Sequence, residues 1–352
     1  MSASQKSVNL HKVVVNLLYM SEGFLMILGN LLVIVAMLSR PALRRKETLL
    51  LVGLAAADLF SGIGFLSGGV KRLNLVLSHS DGDNVTGWDC MQYVQSVFFI
   101  VGAECQGIMQ FLVSFDRMLA IVFFTYYKSL TVIYTHRVLA AVGLHAVLST
   151  VTCFYFSHRD MQTVFVRAYC LGTWSVPPWK ATYYTSISGF GGILSVALYA
   201  VVFTVFMTRQ QKFGKNGSSQ TAKLQRKFTF TIGIVTLFTF LFHSIPYGLV
   251  NLLEVYLDRL TYVIVAPYLW ATVNVNSLVN IFIYIGRMSE VRAAVKGILT
   301  CRSVAAVDGS TMNTSKVSTA GMGSRRGSTA LGADRRLSVV SMTQQRRLST
   351  VM

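Results

Sequence analysis

Seven long apolar blocks decide what this chain can fold into: residues 13–38, 47–70, 91–116, 138–157, 182–207, 228–253 and 261–286. About 20 apolar residues wound as a helix cross the ~30 Å hydrocarbon core of a bilayer. In lipid each segment must satisfy its own backbone polar groups, which a helix does and an isolated strand does not. A membrane barrel would need strands of about ten alternating residues, and residues 24–38 do not alternate. Composition agrees, since 53% of residues are hydrophobic and 13% charged, against about 25% charged in soluble domains. The mean hydropathy is +0.53. The expected fold class is therefore an all-α membrane protein, a seven-transmembrane helix bundle over residues 13–286. The first block runs into Arg40, Arg44, Arg45 and Lys46 without a small-x-small cleavage site. It is expected to be a retained span rather than a signal peptide.

The chain carries 32 Lys+Arg against 14 Asp+Glu, a net charge of +18. A basic chain can signal nucleic acid, but here the basic residues flank the apolar blocks and instead set topology. Eight Lys/Arg fall on the side of the N-terminus and 24 on the other. The positive-inside rule then predicts an extracellular N-terminus (1–12) and a cytoplasmic C-terminus, a multi-pass protein of the plasma membrane. The sequon Asn84-Val85-Thr86 lies on the predicted outer side, as N-glycosylation requires. Two further sequons, at Asn216 and Asn313, fall on the inner side. No nucleophile–base pair, phosphate loop or zinc-type spacing is visible, so no enzyme and no metal cofactor is expected. A transporter would show internal repeats or paired broken helices, and neither is present.

Ionisable groups inside a span cost about 2.5–3.5 kcal/mol on insertion scales and mark function by default. Glu22, Asp58 and Glu104 lie within blocks, and Asp116-Arg117 closes the third. The seventh carries Asn274, Asn276, Ser277 and Asn280, with Tyr284 a turn beyond. Asn276, Asn280 and Tyr284 are four apart and share one helix face. Asp58 and Asn280 are expected to meet in the bundle interior. For Glu22 and Asn274 the competing reading is interhelical hydrogen bonding alone.

In chain order, Gly29-Asn30, Leu54-Ala55-Ala56-Ala57-Asp58-Leu59, Asp116-Arg117-Met118, Phe240-Leu241-Phe242-His243-Ser244-Ile245-Pro246 and Asn276-Ser277-Leu278-Val279-Asn280-Ile281-Phe282-Ile283-Tyr284 together resemble the rhodopsin-like G-protein-coupled receptors. Ser114–Ile121 followed by Thr125-Tyr126-Tyr127-Lys128, Cys170 followed by Pro177-Pro178, and Arg287–Ala294 after Tyr284 are most similar to the nematode serpentine chemoreceptors of class sx. A rhodopsin-like neuropeptide receptor and a non-coupling seven-helix partner protein are the competing readings. The resemblance implies an extracellular ligand and a heterotrimeric G protein as partners. It implies a G-protein switch at Asp116 and Arg117, with Tyr199 and Tyr284 as the tyrosines that swing inward. It implies a polar pocket of Asp58, Asn276, Ser277, Asn280 and Asn30 able to take a sodium ion, a kink at Pro246, and a disulfide between Cys90 and Cys170. Departures stand out: Met118 after the Arg, Ser244 in place of a tryptophan, Ile281 in place of a proline, and Gln106 facing Asp58 in place of a small hydroxyl residue. Cys90 also lies two residues farther from Arg117 than the pattern, which implies a local irregularity.

By depth, Phe99, Glu104, His243, Tyr247, Tyr268 and Trp270 are candidates for a ligand pocket. Glu104 would either meet a cationic ligand or pair inside the bundle. Residues 287–300 alternate apolar and basic positions in the manner of an amphipathic helix on the inner leaflet. Cys301 at its end is a palmitoylation candidate, an unmodified thiol being the alternative. From 301 to 352 the composition turns to Ser, Thr, Gly and Arg, as in a disordered tail. Ser328, Ser338 and Ser349 each follow an Arg-Arg pair at a fixed offset. They are candidate sites for a basophilic kinase, whose phosphates would recruit an arrestin-like partner. The alternative is a basic tail on anionic lipid.

Overall fold

The computed structural model describes residues 3–170, 172–213, 230–231, 233–257 and 259–300. Seven helices in it are long and apolar enough to span a membrane: Asn9–Ser39, Lys46–Leu77, Val94–Val122, Val132–Asp160, Pro178–Thr208, Gly233–Val250 and Ile264–Arg287. They are spans one to seven below. The seven-transmembrane fold expected from the sequence is the observed one. Beside the helices the described residues hold one short two-stranded antiparallel sheet, β1 (Asn84–Thr86) and β2 (Phe165–Arg167), which pairs Val85 with Val166.

Span three is the axis of the bundle. Two thirds of its most apolar stretch (67%) is buried, against 11% for span four. Span three packs on spans two and five, span one on two and seven, and span six on five and seven. Among the described residues span four packs mainly on spans two and three. Its Leu144, Val147, Val151 and Tyr155 are each about 60% exposed; steps of three and four residues align them as one outward apolar face. In a bilayer that face costs nothing.

Glycines set the close approaches. A Cβ on Gly107 would lie 2.6 Å from the Ile187 carbonyl oxygen and 2.6 Å from the Ser188 Cα, both backbone atoms of span five. A Cβ on Gly23 would lie 2.6 Å from the Leu66 nitrogen and 2.7 Å from the Gly62 oxygen of span two. Small residues bring membrane helices into van der Waals contact where no hydrophobic drive separates lipid from protein.

Several helices run past the ends predicted for them. Span two continues from 70 to Leu77 because Lys71 and Arg72 stay helical. The Arg72 guanidinium donates to the Tyr169 and Cys170 carbonyls (3.1 and 2.9 Å), and Lys71 sits over the Tyr93 ring. Span five begins at Pro178, four residues before 182, with proline in the first turn, where its missing N–H is no loss. Span three begins later, at Val94, because Cys90 belongs to a separate short helix, Gly87–Met91. The break at Gln92–Tyr93 takes up the two extra residues implied by the spacing to Arg117. Thr86 caps the short helix: the Asp89 carboxylate accepts from the Thr86 nitrogen and hydroxyl (2.9 and 2.7 Å), and the Asp89 N–H donates back to Thr86 Oγ1 (3.1 Å). Those bonds hold the Asp89 carboxyl below its ordinary pKa.

In span six the chain winds as a π-turn over Phe240–Ser244 and returns to α geometry at Ile245–Tyr256. Pro246 lies just after that turn. Its missing N–H leaves one backbone bond unmade, and the wider winding accommodates the gap. After span seven comes the helix Ser289–Leu299, whose Val291, Ala294 and Val295 are buried against the core cluster that contains Val33 and Met37 of span one. Cys301, Ser328, Ser338, Ser349 and the sequons at Asn216 and Asn313 lie outside the described residues, as does the expected disordered tail over 301–352.

Candidate functional site

The turn before the last of span three places Asp116 and Arg117 inside the bundle, 1% and 5% exposed. A charge there requires a partner. Arg117 Nη2 donates to Asp116 Oδ2 and, at 3.1 Å, to the Tyr127 hydroxyl. Tyr127 comes from the short helix Phe124–Ser129 that follows span three. Its hydroxyl lies 3.2 Å from Asp116 Oδ2 and 3.1 Å from Glu47 Oε1 of span two. The single phenolic proton goes to one carboxylate at a time, so the second is bridged only through the hydroxyl. Burial raises the Tyr127 pKa above its ordinary value, which keeps the donor protonated. Lys46 completes the assembly. Its ammonium donates to the Tyr127 and Leu130 carbonyls (2.7 and 3.1 Å) and lies 3.5 Å from the Tyr127 ring centroid.

Thus one guanidinium is clamped by residues of span three and the helix after it, and that helix is pinned to span two. Neither Glu47 nor the part Tyr127 plays was legible in the sequence. The one available signal was Glu47 as the single acid after Arg44-Arg45-Lys46. Tyr199 and Tyr284 join the core cluster next to this end, with Leu54, Met109 and Val113. The Tyr199 ring lies against Gly233 of span six, 2.6 Å from where a Cβ would stand. Tyr284 is 1% exposed, and its hydroxyl makes no hydrogen bond.

Deeper in the bundle, Asp58 is the hub. Its Oδ1 accepts from Gln106 Nε2 at 2.6 Å and from Ser277 Oγ at 2.8 Å, and Gln106 also donates to Ser277 Oγ at 3.1 Å. Spans two, three and seven are tied at one carboxylate. Asp58 was expected to meet Asn280; the hydrogen bond from span seven comes instead from Ser277, with Asn276 and Asn280 fully buried on the same helix. Asn30 donates to the Met26 carbonyl of its own helix (3.0 Å). Asp58 Oδ2 and both amide atoms of Asn276 have no hydrogen-bond partner. Unsatisfied buried oxygens around a carboxylate suit a hard cation with oxygen ligands, so the residues fit a sodium ion. Glu22 accepts from Asn274 at 2.8 Å, which joins spans one and seven.

These polar nodes on a seven-helix frame agree with the comparison with known families. A family model described as serpentine type 7TM GPCR chemoreceptor Srsx matches residues 24–299, more than half of the chain. The chain belongs to the Srsx serpentine chemoreceptor family. A search of curated proteins returns no match.

At the other end, this Srsx chain carries the disulfide Cys90–Cys170, with Cα atoms 5.5 Å apart. It joins the short helix before span three to the strand loop before span five. Cys170 has φ of 45°, a left-handed conformation uncommon for a side chain with a Cβ. Asn84 of the sequon is exposed at the start of β1.

The Srsx pocket candidates separate into groups. His243 is fully buried, lies 3.2 Å from Ser188 Oγ, and packs against Tyr247 with ring centroids 4.7 Å apart. Tyr247 meets Trp270 edge-on at 4.9 Å. Trp270 and Phe99 both border the cluster of Val15, Tyr19, Phe65 and Ala271, so these four candidates line one region between spans one, two, three, six and seven. Tyr268 does not join them: it is 43% exposed and edge-on to His11. The residue before it, Pro267, also lies inside span seven, and its carbonyl accepts from the Tyr19 hydroxyl at 2.8 Å.

Glu104 lies apart as well, fully buried, and of its two sequence readings the structure gives the one inside the bundle. Oε1 accepts from Lys180 at 3.0 Å and Oε2 lies 3.0 Å from His145 Nε2. Lys180, 2% exposed, also donates to Ser149 Oγ at 2.9 Å. A cationic ligand would have to displace that ammonium. Neither base was visible as a partner: Lys180 lies outside the apolar block 182–207, and the sequence offered no signal that singled out His145.

Proposed function

We propose that the protein is a chemosensory receptor that takes an extracellular ligand at the disulfide end of the bundle and activates a heterotrimeric G protein at the Arg117 end. The disulfide end faces out, in keeping with the distribution of Lys and Arg, with an oxidising compartment for the cystine, and with a glycan at Asn84. The observation that carries the reading is the clamp on Arg117. A buried cation held by Asp116 and Tyr127 at the end of the central helix can be released when helices move. Release frees a guanidinium with five donors for a partner's carbonyls and carboxylates. In the resting state Asp116 and Tyr127 hold it; in the active state it contacts the G protein.

The ligand binds in the region of Phe99, His243, Tyr247 and Trp270. Span six carries the signal, because the π-turn and Pro246 leave its backbone ladder weakest directly beside His243. Tyr199 and Tyr284 turn inward as span six moves. Asp58, Ser277, Asn276 and Asn280 hold a sodium ion in the resting bundle, where the cation offsets the carboxylate charge. Cys301 is a lipid anchor, and Ser328, Ser338 and Ser349 are kinase sites whose phosphates an arrestin-like partner reads.

The test is G-protein dissociation read by a proximity sensor in cells, with a panel of odorants and peptides, for wild type and Arg117→Ala at matched surface density. A ligand-dependent signal in wild type that is lost in the variant is the expected result. Signal retained in Arg117→Ala overturns the assignment of the switch.

A further inference from the structure

Between spans four and five the bundle opens a groove of about 340 Å³, lined by His145, Leu148, Ser149, Thr152, Trp179, Lys180 and Tyr183. That volume lies in the range of small-molecule sites, about 300–1,000 Å³. Its rim faces outward, with Leu148 55%, Trp179 51% and Tyr183 41% exposed. In a seven-span protein these positions face lipid. The groove floor is polar. Glu104 stands behind it, and the two basic side chains that share this carboxylate, His145 and Lys180, both line the groove.

The titratable groups packed around the floor are Glu104 and Cys105 from span three, His145 and Cys153 from span four, and Lys180 and Tyr183 from span five. Beside the two thiols and the phenol, they comprise two bases and one carboxylate. Among the described residues Glu104 is the only carboxylate paired with either base. Lys180 uses two of its three N–H groups on Glu104 and Ser149, and His145 is 27% exposed at its side chain. The charge pattern is therefore open to one more carboxylate, and the walls are aromatic and aliphatic.

We propose that this groove is a binding site for an amphiphile with a single carboxylate, of the long-chain fatty acid class, that enters from the bilayer. Its carboxylate accepts from the remaining N–H of Lys180 and from an imidazole N–H of His145. With Glu104 it sets two carboxylates against two basic side chains, so that the buried carboxylate is paired and hydrogen-bonded. Its hydrocarbon chain lies along Leu148, Trp179 and Tyr183. The site is separate from the region of His243 and Trp270, and it stands or falls independently of G-protein coupling.

The experiment uses the full chain in phosphatidylcholine nanodiscs. A stearic acid brominated on its chain is titrated in, and quenching of Trp179 is read as the difference between wild type and Trp179→Phe, since the chain has four tryptophans. Saturable quenching by the acid, absent with its methyl ester, is expected. His145→Gln keeps a hydrogen-bonding side chain without the basic imidazole; Glu104→Gln/Lys180→Met removes the ion pair without stranding either of its charges. Each is expected to weaken the apparent affinity about tenfold, the equivalent of one charge-assisted hydrogen bond. Quenching that rises linearly with the acid-to-lipid ratio without saturating, or equal saturation by acid and ester, would show partitioning only and overturn the site. Unchanged affinity in both variants would overturn the assigned residues. If the double variant fails to fold, the acid–ester comparison on wild type and the His145→Gln titration still decide.

Discussion

Lys180→Met alone should cost more stability than Lys180→Met together with Glu104→Gln. Glu104 is fully buried, and two groups face its oxygens, Lys180 and His145, each at 3.0 Å. Removing one partner of a buried ion pair costs about 3–5 kcal/mol, because the remaining charge has lost both water and counter-charge. His145 remains on Oε2 and softens the loss, so about 3 kcal/mol is expected. In a chain of this size that corresponds to a fall of about 6 °C in Tm, taking roughly 2 °C per kcal/mol. Glu104→Gln alone strands the Lys180 ammonium, with Ser149 as its remaining partner, and should cost a similar amount. The double variant retains hydrogen bonding without charge and should lie within about 1 kcal/mol of wild type. The assay is thermal unfolding of the four proteins in one detergent, scored as a double-mutant cycle. The expected coupling is several kcal/mol in favour of the pair. Additive losses in the double variant would refute the reasoning, since two residues that do not share an ion pair lose stability independently.

Further outcomes are accessible on the same material. Gly107→Ala should destabilise by about 1–3 kcal/mol, because its methyl would meet span-five backbone at 2.6 Å; Gly143→Ala, with open space at its Cβ, should be neutral in the same melt. Cys90→Ser or Cys170→Ser should each cost about 4 kcal/mol for a cross-link spanning 80 residues, and the double variant should cost no more than either single one, as surface expression under oxidising conditions will read. The Asp89 carboxyl has a lowered folded pKa, held by Thr86. Its contribution is therefore present above the unfolded value of about 3.9 and lost as pH falls through the lower folded value. Wild type and Asp89→Asn should differ in Tm at neutral pH and converge in strong acid.

The apolar blocks foretold the seven spans, since about 20 apolar residues admit one solution in lipid. The ends were harder. Lys71, Arg72 and Lys180 read as loop residues because charge near an apolar block usually marks a membrane boundary. In the folded chain a ring, two carbonyls and a carboxylate receive those three cations, so the helix continues through them. Asp58 was identifiable as a hub because an acid within a span demands partners, and Gln106 was recognisable among them. The clamp on Arg117 was legible only as far as Asp116. Glu47 and Tyr127 reach the site through the packing of span two on the short helix Phe124–Ser129, and no spacing in one segment encodes that contact. Pro246 signalled an irregular span six, while the π-turn over Phe240–Ser244 depends on how the freed backbone is reaccommodated.

The clamp is tested most directly by basal G-protein activity of Asp116→Asn and Tyr127→Phe, compared with wild type at equal surface density and without ligand. Both substitutions weaken the hold on Arg117 while leaving its guanidinium in place. Basal signalling above wild type in both variants, and abolished when Arg117→Ala is added, is the result the account predicts. Basal signalling at the wild-type level in both variants, on receptors that still respond to ligand, would contradict it.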